Sequence, residues 1–574
     1  MKIEIFDSTL RDGAQSEGIS FSVSDKLNIV RTLDDFGVAY IEAGNPGSNP
    51  KDIEFFQKAA NLKLKNAVLC AFGSTRKKNT RVTEDPNILS LLNAGTPTVA
   101  IFGKSWDLHV HKILGVTLEE NLALVSDTVS FFKRHGREVI FDAEHYFDGR
   151  NANAAYAMEV LKAAAAAGAD VLCLCDTNGG ASPITVRAGT KEAVAAFPGV
   201  RVGIHCHNDI GCAVASSMLA VEAGAVHVQG TFTGIGERCG NADLSCVIPN
   251  LQLKHGYECV ANDLSMLTET VIRMDEISNL VVPNNKPYAG ASAFAHKGGM
   301  HIDGVSKLSQ SFEHIDPALV GNKRRFLMSE VSGRTTVLAK LTALAPGFDK
   351  NSPETARIVS RLKELEHEGY QFESADASFE LMVLNILGRY KPHFRLCMYR
   401  TSGEFPSPDG DKSASAMLSI EVNGKMETSA AIGNGPVNAL DMALRKALNV
   451  FYPELAKVHL TDYKVRVLTA EQASAAKVRV LIESTDGAVS WTTVGVSTDI
   501  IAASWQALVD SIEYILNKKE VTAHEHDRFS KNPRRPLRQG VRGGRRHDYG
   551  RPGHGSGQRH HGPRRHQRIP KGGL

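Results

Sequence analysis

The sequence lacks an uninterrupted apolar run long enough to cross a bilayer, so it predicts no membrane-spanning helix and no membrane partner. Its first residues read directly as a strand, without the basic and apolar segments of a secretory signal. The nine cysteines are odd in number and scattered through apolar runs, which fits reduced thiols better than a disulfide framework. We therefore expect a cytoplasmic protein.

Charge is distributed unevenly along the 574 residues. Residues 524–574 hold 14 Lys+Arg and 3 Asp+Glu, a net charge of +11, so the preceding 523 residues carry −8 of the total of +3. This basic tail consists mainly of Arg, Gly, His and Pro, cannot bury a core, and is expected to be disordered. It would attract nucleic acid only weakly, since Phe529 and Tyr549 are its only aromatic residues and the body is acidic.

Strand-like and helix-like segments alternate through the first half of the chain. Eight strand-like segments are separated by helical patterns, as at residues 24–36, 118–135, 152–167 and 210–223. This alternation is typical of a (β/α)8 TIM barrel, which is an α/β fold. The predicted strands are residues 3–7, 38–43, 67–72, 98–102, 138–142, 171–175, 201–205 and 226–229.

A less regular region, residues 276–399, follows the predicted barrel. It begins with a turn-rich stretch and contains a glycine-rich loop at 295–304. Helical patterns follow at 334–344 and 352–367. We expect a helical linker subdomain here.

The next region, residues 400–520, contains a weak internal duplication. Hairpin signals, Asn-Gly at 423–424 and Asp-Gly at 486–487, each lie between strand-like runs and are followed by a helical pattern, at 437–450 and 500–516. The pattern predicts a C-terminal α+β domain of two βββα units, suited to regulation or dimerisation. The predicted boundaries are 1–275 for the barrel, 276–399 for the linker, 400–520 for the duplicated domain and 521–574 for the tail.

Two histidines end the seventh predicted strand. His205 and His207 are two residues apart, so their imidazoles point to the same side of the strand and can share one divalent metal. Asp12, shortly after the first strand, would add a carboxylate. The alternative is that the two histidines are structural core residues beside a solvated aspartate.

The positions of the polar clusters favour the metal site. In a TIM-barrel enzyme, chemistry takes place at the carboxyl ends of the strands. Every polar cluster follows a strand end, so all fall on one rim, whereas chance would spread them over both. The clusters are Arg11 and Asp12, Glu42, Glu144 and His145, residues 176–178, His205 and His207, and residues 234–241.

Three motifs together resemble the acyl-CoA-dependent Claisen enzymes, the family of isopropylmalate, citramalate and homocitrate synthases and hydroxymethylglutaryl-CoA lyases. They are Ser-Thr-Leu-Arg-Asp-Gly-Ala-Gln at 8–15, His-Cys-His-Asn-Asp at 205–209 and Gly-Glu-Arg-Cys-Gly-Asn at 236–241. The resemblance covers residues 1 to about 520. Within the family, several further stretches are similar to the citramalate synthases. These stretches are residues 44–50, 72–76, 105–109, 141–149 and 293–299.

The resemblance implies an acyltransferase that condenses acetyl-CoA with pyruvate and water to (R)-citramalate and CoA, in the pyruvate route to isoleucine. The alternative is a 2-isopropylmalate synthase that uses 2-oxoisovalerate, which differs in pocket width and not in chemistry. A retro-Claisen lyase is less favoured, because the lyases of the group resemble the barrel alone. A nucleic-acid-binding protein acting through the tail is also less favoured.

The resemblance also implies the metal ligands, namely Asp12, His205, His207 and Asn241. The bound metal would take the ketone and carboxylate oxygens of the 2-oxo acid and polarise the carbonyl. Mixed oxygen and nitrogen ligation permits Mg²⁺, Mn²⁺ or Zn²⁺, and the absence of a thiolate favours Mg²⁺ or Mn²⁺.

Five further residues receive roles from the resemblance. Arg11 would bind the substrate and stabilise the developing alkoxide. Glu144 and Thr177 would contact substrate or enolate. His301 would take a proton from the acetyl-CoA methyl group, acting from the neighbouring subunit of a homodimer, and Asp303 would orient it.

Each role has a structural alternative. Arg11 can be an ion-pair partner of Asp12 or Glu144. His301 can be an exposed loop histidine, and Thr177 can be a helix cap.

The duplicated domain would bind an end product, for which the resemblance implies isoleucine as feedback inhibitor. The candidate loops lie where strands hand over to helices. Their glycines are Gly433, Gly435 and Gly495.

Overall fold

The computed structural model describes residues 1–327, 352–403, 413–468 and 476–531. The chain divides into two units, Met1–Tyr514 and Ile515–Leu574. The helix expected at 334–344 and the tail beyond 531 lie outside the described residues. Among the described residues, no helix combines the length and apolar character needed to cross a membrane. All nine cysteines are free thiols, as expected.

Eight parallel strands form a closed barrel in sequence order, with the eighth strand paired to the first, which confirms the TIM-barrel prediction. Each observed strand overlaps its predicted position and differs from it by only a few residues at either end. The strands are β1 (Glu4–Asp7), β2 (Tyr40–Glu42), β3 (Val68–Ser74), β4 (Thr98–Lys104), β5 (Glu138–Glu144), β6 (Val171–Asp176), β7 (Arg201–Cys206) and β8 (His227–Gly230).

Helices surround the barrel. Several begin with a side-chain cap, as at α1, where Ser22 and Asp25 form a reciprocal capping box. Proline follows the cap residue at the first helical position of α2, α3 and α7, where its missing N–H costs nothing. The helices are α1 (Val23–Phe36), α2 (Pro50–Ala59), α3 (Pro86–Asn93), α4 (Asp107–His109), α5 (Leu118–Arg134), α6 (Tyr146–Ala166), α7 (Pro183–Ala196), α8 (Ala213–Glu222), α9 (Leu244–Pro249) and α10 (Leu267–Ile277).

The barrel has two apolar layers because successive strand residues point to opposite faces. In β6, Leu172 and Leu174 point outward and pack in the large core between strands and helices. Cys173 and Cys175 point inward with Phe6 and other residues of a smaller interior cluster. Inward positions near the carboxyl ends of the strands are therefore the ones that can face a pocket.

The linker is helical, as expected, and contains a small parallel sheet of β9 (Ala295–His296) and β10 (Arg325–Phe326). Its helices are α11 (Gly299–Lys307), α12 (Pro353–Glu368) and α13 (Asp376–Ile386), and α12 confirms the pattern at 352–367. Ile358 of α12 and Phe379 of α13 share an apolar cluster with Val494. This cluster connects the linker to the second C-terminal unit.

Two antiparallel three-stranded sheets, each followed by a helix, confirm the two βββα units. Both predicted hairpins are present, between the second and third strands of each unit. The first unit comprises β11 (Arg395–Gly403), β12 (Ala414–Val422), β13 (Lys425–Gly433) and α14 (Pro436–Leu448). The second comprises β14 (His459–Val467), β15 (Val478–Thr485), β16 (Ser490–Ser497) and α15 (Ile500–Lys531).

The predicted end of the last helix at residue 516 is wrong. Helix α15 continues to Lys531 and so includes the start of the segment assigned to the tail. The physical reason is that the sequence has no glycine or proline between Ile500 and Pro533, so nothing local stops the helix.

Candidate metal centre and active site

Asp12, His205 and His207 lie together at the carboxyl-terminal rim of the barrel, all buried. The Nε2 atoms of His205 and His207 are 3.7 Å and 3.8 Å from Asp12 Oδ2. These distances are too long for hydrogen bonds, but they fit ligand atoms that each lie about 2 Å from one shared ion. The structure thus brings three of the four predicted metal ligands into a suitable arrangement.

The strand ends explain this arrangement. His205 and His207 point into the barrel, whereas Cys206 between them packs in the outer core. The backbone of His207 pairs with Asn241 in an antiparallel bridge and donates its N–H to Asp176 O at 3.2 Å. Asp12 is fixed by its own N–H, which donates to Ser8 O at 2.9 Å.

Asn241, the fourth predicted ligand, is also buried at this position. Its Nδ2 donates to Asp12 Oδ1 at 2.9 Å, and its Oδ1 has no hydrogen-bond partner in the part of the chain that the structure describes. A Cβ at position 236 would lie 2.1 Å from this Nδ2, so glycine is required there. The donor set of one carboxylate, two imidazoles and one amide oxygen fits a divalent cation.

The protonation states also suit a metal. Burial lowers the pKa of His205 to about 3 and also lowers that of His207. Burial by itself would raise the pKa of Asp12, but Arg11 and the two histidines hold it well below its usual range. Neutral imidazoles and an ionised carboxylate are the forms that bind metals.

Arg11 has two acidic partners. Its Nη1 donates to Asp12 Oδ2 and its Nε donates to Glu42 Oε2, both at 2.7 Å. Ser8 donates a hydrogen bond to the same Glu42 carboxylate. The Arg11 guanidinium lies 3.9 Å from the centre of the Phe72 ring. The structural alternative in which Arg11 pairs with Asp12 is therefore present. This pairing fixes the positive charge of the guanidinium beside the metal-ligand cluster.

These residues surround a cavity of about 240 Å³. The structure brings six of the predicted site residues to this cavity. They are Arg11, Asp12, Glu144, Thr177, His205 and His207. The lining residues are Arg11, Asp12, Gln15, Phe72, Phe102, Asp142, Glu144, Cys175, Thr177, His205, His207, Gln229 and Glu237.

Glu144 and Thr177 lie side by side on this rim. Glu144 pairs with Lys104. The Thr177 hydroxyl accepts a hydrogen bond from the backbone N–H of His145 at 2.9 Å. The helix-cap alternative for Thr177 is wrong, because Ser182 caps the following helix.

His301 and Asp303 are placed differently. His301 is exposed on α11 and its ring stacks on Phe312, with the centroids 4.3 Å apart. Asp303 pairs with Lys307 at 2.5 Å. Neither belongs to the described side chains that line the 240 Å³ cavity. A catalytic role from a neighbouring subunit therefore stays a prediction.

The three predicted regulatory glycines lie at the ends of the C-terminal sheets. A Cβ at Gly433 would lie 2.7 Å from Ala439 N, and one at Gly495 would lie 2.0 Å from Ala503 O. Both glycines thus allow a helix to pack closely on its sheet, which is a structural role. Gly435 has φ +108° and open space around its Cβ position. Their part in binding an effector stays a prediction.

Sequence reasoning missed Asp142 and Gln229. Gln229 Nε2 donates to Asp142 Oδ1 at 2.9 Å inside the barrel. Burial, together with the charge of Glu42, raises the pKa of Asp142 to about 7. The alternation of strand residues was an available signal, since Asp142 precedes Glu144 by two positions and shares its inward face.

The comparisons with known families divide the chain into three matching segments. The HMGL-like family matches residues 2–275. The homocitrate synthase post-HMGL domain-like family matches residues 289–370. The LeuA allosteric (dimerisation) domain matches residues 373–516.

Curated relatives match this chain over nearly the whole of their own length. An (R)-citramalate synthase from Aquifex aeolicus is 51% identical over 520 residues, covering 90% of this chain and 98% of the relative. One from Geobacter sulfurreducens is 48% identical, with 90% and 98% covered. A 2-isopropylmalate synthase from Methanocaldococcus jannaschii is more distant, at 34% identity with 90% and 96% covered. On this evidence, together with the barrel and its metal-ligand cluster, the chain belongs to the family of the (R)-citramalate synthases.

Proposed function

We propose that this chain condenses acetyl-CoA with pyruvate and water to give (R)-citramalate and CoA. The observation that carries the proposal is the cluster of Asp12, His205 and His207 beside Arg11 in one barrel cavity. The likeness to (R)-citramalate synthases over 90% of the chain supports this choice of reaction.

Asp12, His205 and His207 would hold a divalent cation, with Asn241 as a further ligand. When bound, the cation would act as a Lewis acid on the ketone of the 2-oxo acid. The oxygen and nitrogen donors favour Mg²⁺ or Mn²⁺, and Zn²⁺ is compatible with the same set.

Arg11 supplies a fixed positive charge next to the reacting ketone. Its two carboxylate partners, Asp12 and Glu42, hold the guanidinium in place before substrate binds. A charge that is already oriented stabilises the developing alkoxide without reorganisation.

Thr177 is set up to donate to the substrate. Its oxygen already accepts the His145 N–H, so the hydroxyl hydrogen is directed elsewhere. Since Thr177 lines the cavity, the carboxylate of pyruvate is a suitable acceptor for this hydrogen.

Carbon–carbon bond formation needs a base for the acetyl-CoA methyl group. We assign this role to His301 of a second subunit, oriented by Asp303, with Glu144 in contact with the enolate. The enolate carbon then bonds to the ketone carbon, and the resulting alkoxide takes up a proton. Water hydrolyses the thioester, which releases CoA as its thiol and completes the balance.

The cavity walls support a small acceptor. Phe72 and Phe102 stack with their centroids 5.2 Å apart and their planes at 19°, and both line the cavity. Two aromatic rings held together leave less room than aliphatic side chains would. One or two methylenes in such a pocket are worth about 1–3 kcal/mol, enough to rank 2-oxo acids.

The test is CoA release from acetyl-CoA with a panel of 2-oxo acids. Pyruvate should give the highest kcat/KM and (R)-citramalate should be the product. The Phe102→Leu variant should raise the relative rate with 2-oxoisovalerate. If the unaltered chain prefers 2-oxoisovalerate, the enzyme is a 2-isopropylmalate synthase instead.

Assembly and regulation complete the proposal. The match to a LeuA allosteric (dimerisation) domain supports a homodimer whose C-terminal units bind an effector. We assign isoleucine as this feedback inhibitor, bound near Gly433, Gly435 and Gly495. The free thiols fit a reduced compartment, and we place the enzyme in the cytoplasm.

A further inference from the structure

A second group of metal-ligating side chains lies inside the barrel, below the rim. It consists of Asp142 on β5 and of Cys173 and Cys175 on β6, all of them buried. One ligand atom from each residue lies within 4.8 Å of the corresponding atoms of the other two. We call these three residues the floor cluster, because Asp142 and Cys175 line the active-site cavity from the barrel interior.

Strand geometry explains why the three side chains meet. Asp142 pairs directly with Cys173 across β5 and β6, and Cys175 follows two positions later, so all three share the inward face. Glu144 and Thr177, which also line the cavity, follow Asp142 and Cys175 by two positions in the sequence. The floor cluster therefore lies one layer below the residues at the rim.

The polar groups of the floor cluster are directed towards one another. Gln229 Nε2 donates to Asp142 Oδ1 at 2.9 Å, and the Cys173 thiol hydrogen-bonds to the same carboxylate. The Cys175 thiol donates to the carbonyl oxygen of Cys173, with Sγ and O 3.7 Å apart. A cation that replaces the Cys173 proton would thus lie between a sulfur atom and a carboxylate oxygen.

The donor set of the floor cluster differs from that of Asp12, His205 and His207. Two thiols and one carboxylate favour a thiophilic divalent ion such as Zn²⁺ or Cd²⁺ over Mg²⁺ or Mn²⁺. Thiolate sulfur binds Zn²⁺ at about 2.3 Å, so two ligand atoms around one ion lie at most about 4.6 Å apart. The spacing within the floor cluster is close to this limit, so a small side-chain movement is sufficient.

The surroundings of the floor cluster can accommodate such an ion. When both thiols lose their protons, the three ligands carry one more negative charge than the dication neutralises. The Arg11 guanidinium interacts electrostatically with Asp142 and supplies a compensating positive charge. A tetrahedral ion with three protein ligands keeps one position for water, and the active-site cavity gives access to it.

We propose that Asp142, Cys173 and Cys175 form a second, thiol-based metal site, which binds Zn²⁺ and thereby blocks the active-site cavity. Binding releases the two thiol protons to water, and the ion then occupies the floor of the cavity that receives the 2-oxo acid. The binding part stands on the floor cluster alone, whereas the inhibition rests on the proposed function.

Cd²⁺ is the probe for binding, because its ultraviolet charge-transfer band reports thiolate ligands and not oxygen or imidazole ligands. The full chain, with Mn²⁺ in excess at the metal-ligand cluster, should bind one Cd²⁺ with this band. Cys173→Ala should lose most of the band and weaken Cd²⁺ binding by at least about 100-fold, because even changes beyond the ligands cost about 10–100-fold. Asp142→Asn, which keeps both thiols, should retain the band but require more Cd²⁺.

The other thiols provide the controls. Cys239 and Cys397 are exposed, so serine replaces both in every protein of the series. Cys206→Ala is the matched control, because this buried thiol packs in the outer core and its removal should leave the band unchanged. Thermal unfolding checks the fold, and Asp142→Asn remains informative if Cys173→Ala unfolds.

Inhibition of CoA release is the second readout. With Mn²⁺ in excess, Zn²⁺ should inhibit, and additional Mn²⁺ should not relieve the inhibition, which separates the floor cluster from the metal-ligand cluster. Cys173→Ala should keep its basal turnover and should need at least about tenfold more Zn²⁺ for the same inhibition.

Absence of the Cd²⁺ band in the unaltered chain, or an unchanged band in folded Cys173→Ala, would overturn the metal site. Zn²⁺ inhibition that Mn²⁺ relieves, and that is unchanged in Cys173→Ala, would overturn the blocking role. A Cd²⁺ band that depends on Cys173 in a chain that does not turn over pyruvate would leave the metal site intact and refute the proposed function.

Discussion

The barrel and the two βββα units both pair sheets with helices, but they bury different chemistry. Two groups of three metal-ligating side chains occur among the described residues, and both lie in the barrel. In the C-terminal units, the layer between sheet and helix is mainly apolar, as with Leu418 and Leu440. The buried side chains of the barrel therefore suit chemistry, whereas those of the C-terminal units suit packing.

Topology accounts for this difference. Parallel strands of a closed barrel bring eight loops to one rim, so residues as distant in sequence as Asp12 and His207 converge. In the first unit, the face of the antiparallel sheet that the helix does not cover is open, and Met417, Met426 and Ile432 are exposed there. This open face suits contact with a second copy, in agreement with the dimerisation-domain match.

The largest expected effect concerns the metal ligands. Asp12→Asn and His207→Ala should each lower turnover by at least about 10³-fold, because either change removes a ligand that positions the Lewis acid. CoA release measures this effect, and thermal unfolding checks the fold. Cys206→Ala is the control, since its side chain points to the outer core and turnover should persist. Full activity in either ligand variant would move the chemistry away from this cluster.

The next effect tests whether the barrel of one subunit uses a catalytic base from a second subunit. His301→Asn should lower kcat by about 10²–10⁴, the usual contribution of a general base, with little change in the KM for pyruvate. Mixing this inactive variant with inactive Asp12→Asn should restore some activity through hybrid dimers. Absence of recovery, with subunit exchange demonstrated, would show that each barrel uses its own base.

Effector binding tests the role given to the C-terminal units. Calorimetry should detect isoleucine binding to the full chain, and isoleucine should inhibit CoA release. Gly435→Ala should weaken both responses by about tenfold without changing basal turnover, because alanine is strained at φ +108° and would shift this loop. Inhibition that is unchanged in the variant would exclude this loop as the site.

The smallest effect concerns the pH dependence of barrel stability. Burial raises the pKa of Asp7 to about 7, against about 3.9 in an unfolded chain. The folded state therefore keeps a proton on Asp7 that the unfolded state releases. The contribution of this proton to the free energy of unfolding is lost as the pH rises from about 4 to 7. Between pH 5 and 8, the free energy of unfolding should fall by roughly 2 kcal/mol less in Asp7→Asn than in the unaltered chain.

Urea unfolding in the presence of a chelator measures this slope without metal linkage. Glu54→Gln, which removes an exposed ion pair with Lys58, should leave the slope unchanged. An identical slope in Asp7→Asn and the unaltered chain would show that Asp7 is ionised when folded.

Sequence periodicity predicted the barrel, the two βββα units and the convergence of Asp12 with His205 and His207. These features depend on local patterns and on the rule that strand ends share a rim. The pairing of Arg11 with Glu42 was not predictable, because it depends on side-chain positions across two strands. The predicted end of α15 was too early, although the sequence contained the signal, since no glycine or proline that would end the helix occurs before Pro533.

One cation, held by Asp12, His205 and His207, should support all turnover in this chain. The most direct measurement is a Mn²⁺ titration of the chelated full-length protein, following bound metal and CoA release in the same samples. We predict one Mn²⁺ per chain, with activity rising in proportion to occupancy, and loss of both in the His205→Ala/His207→Ala variant. Full turnover in the chelated protein, or unchanged Mn²⁺ binding in that variant, would contradict the account.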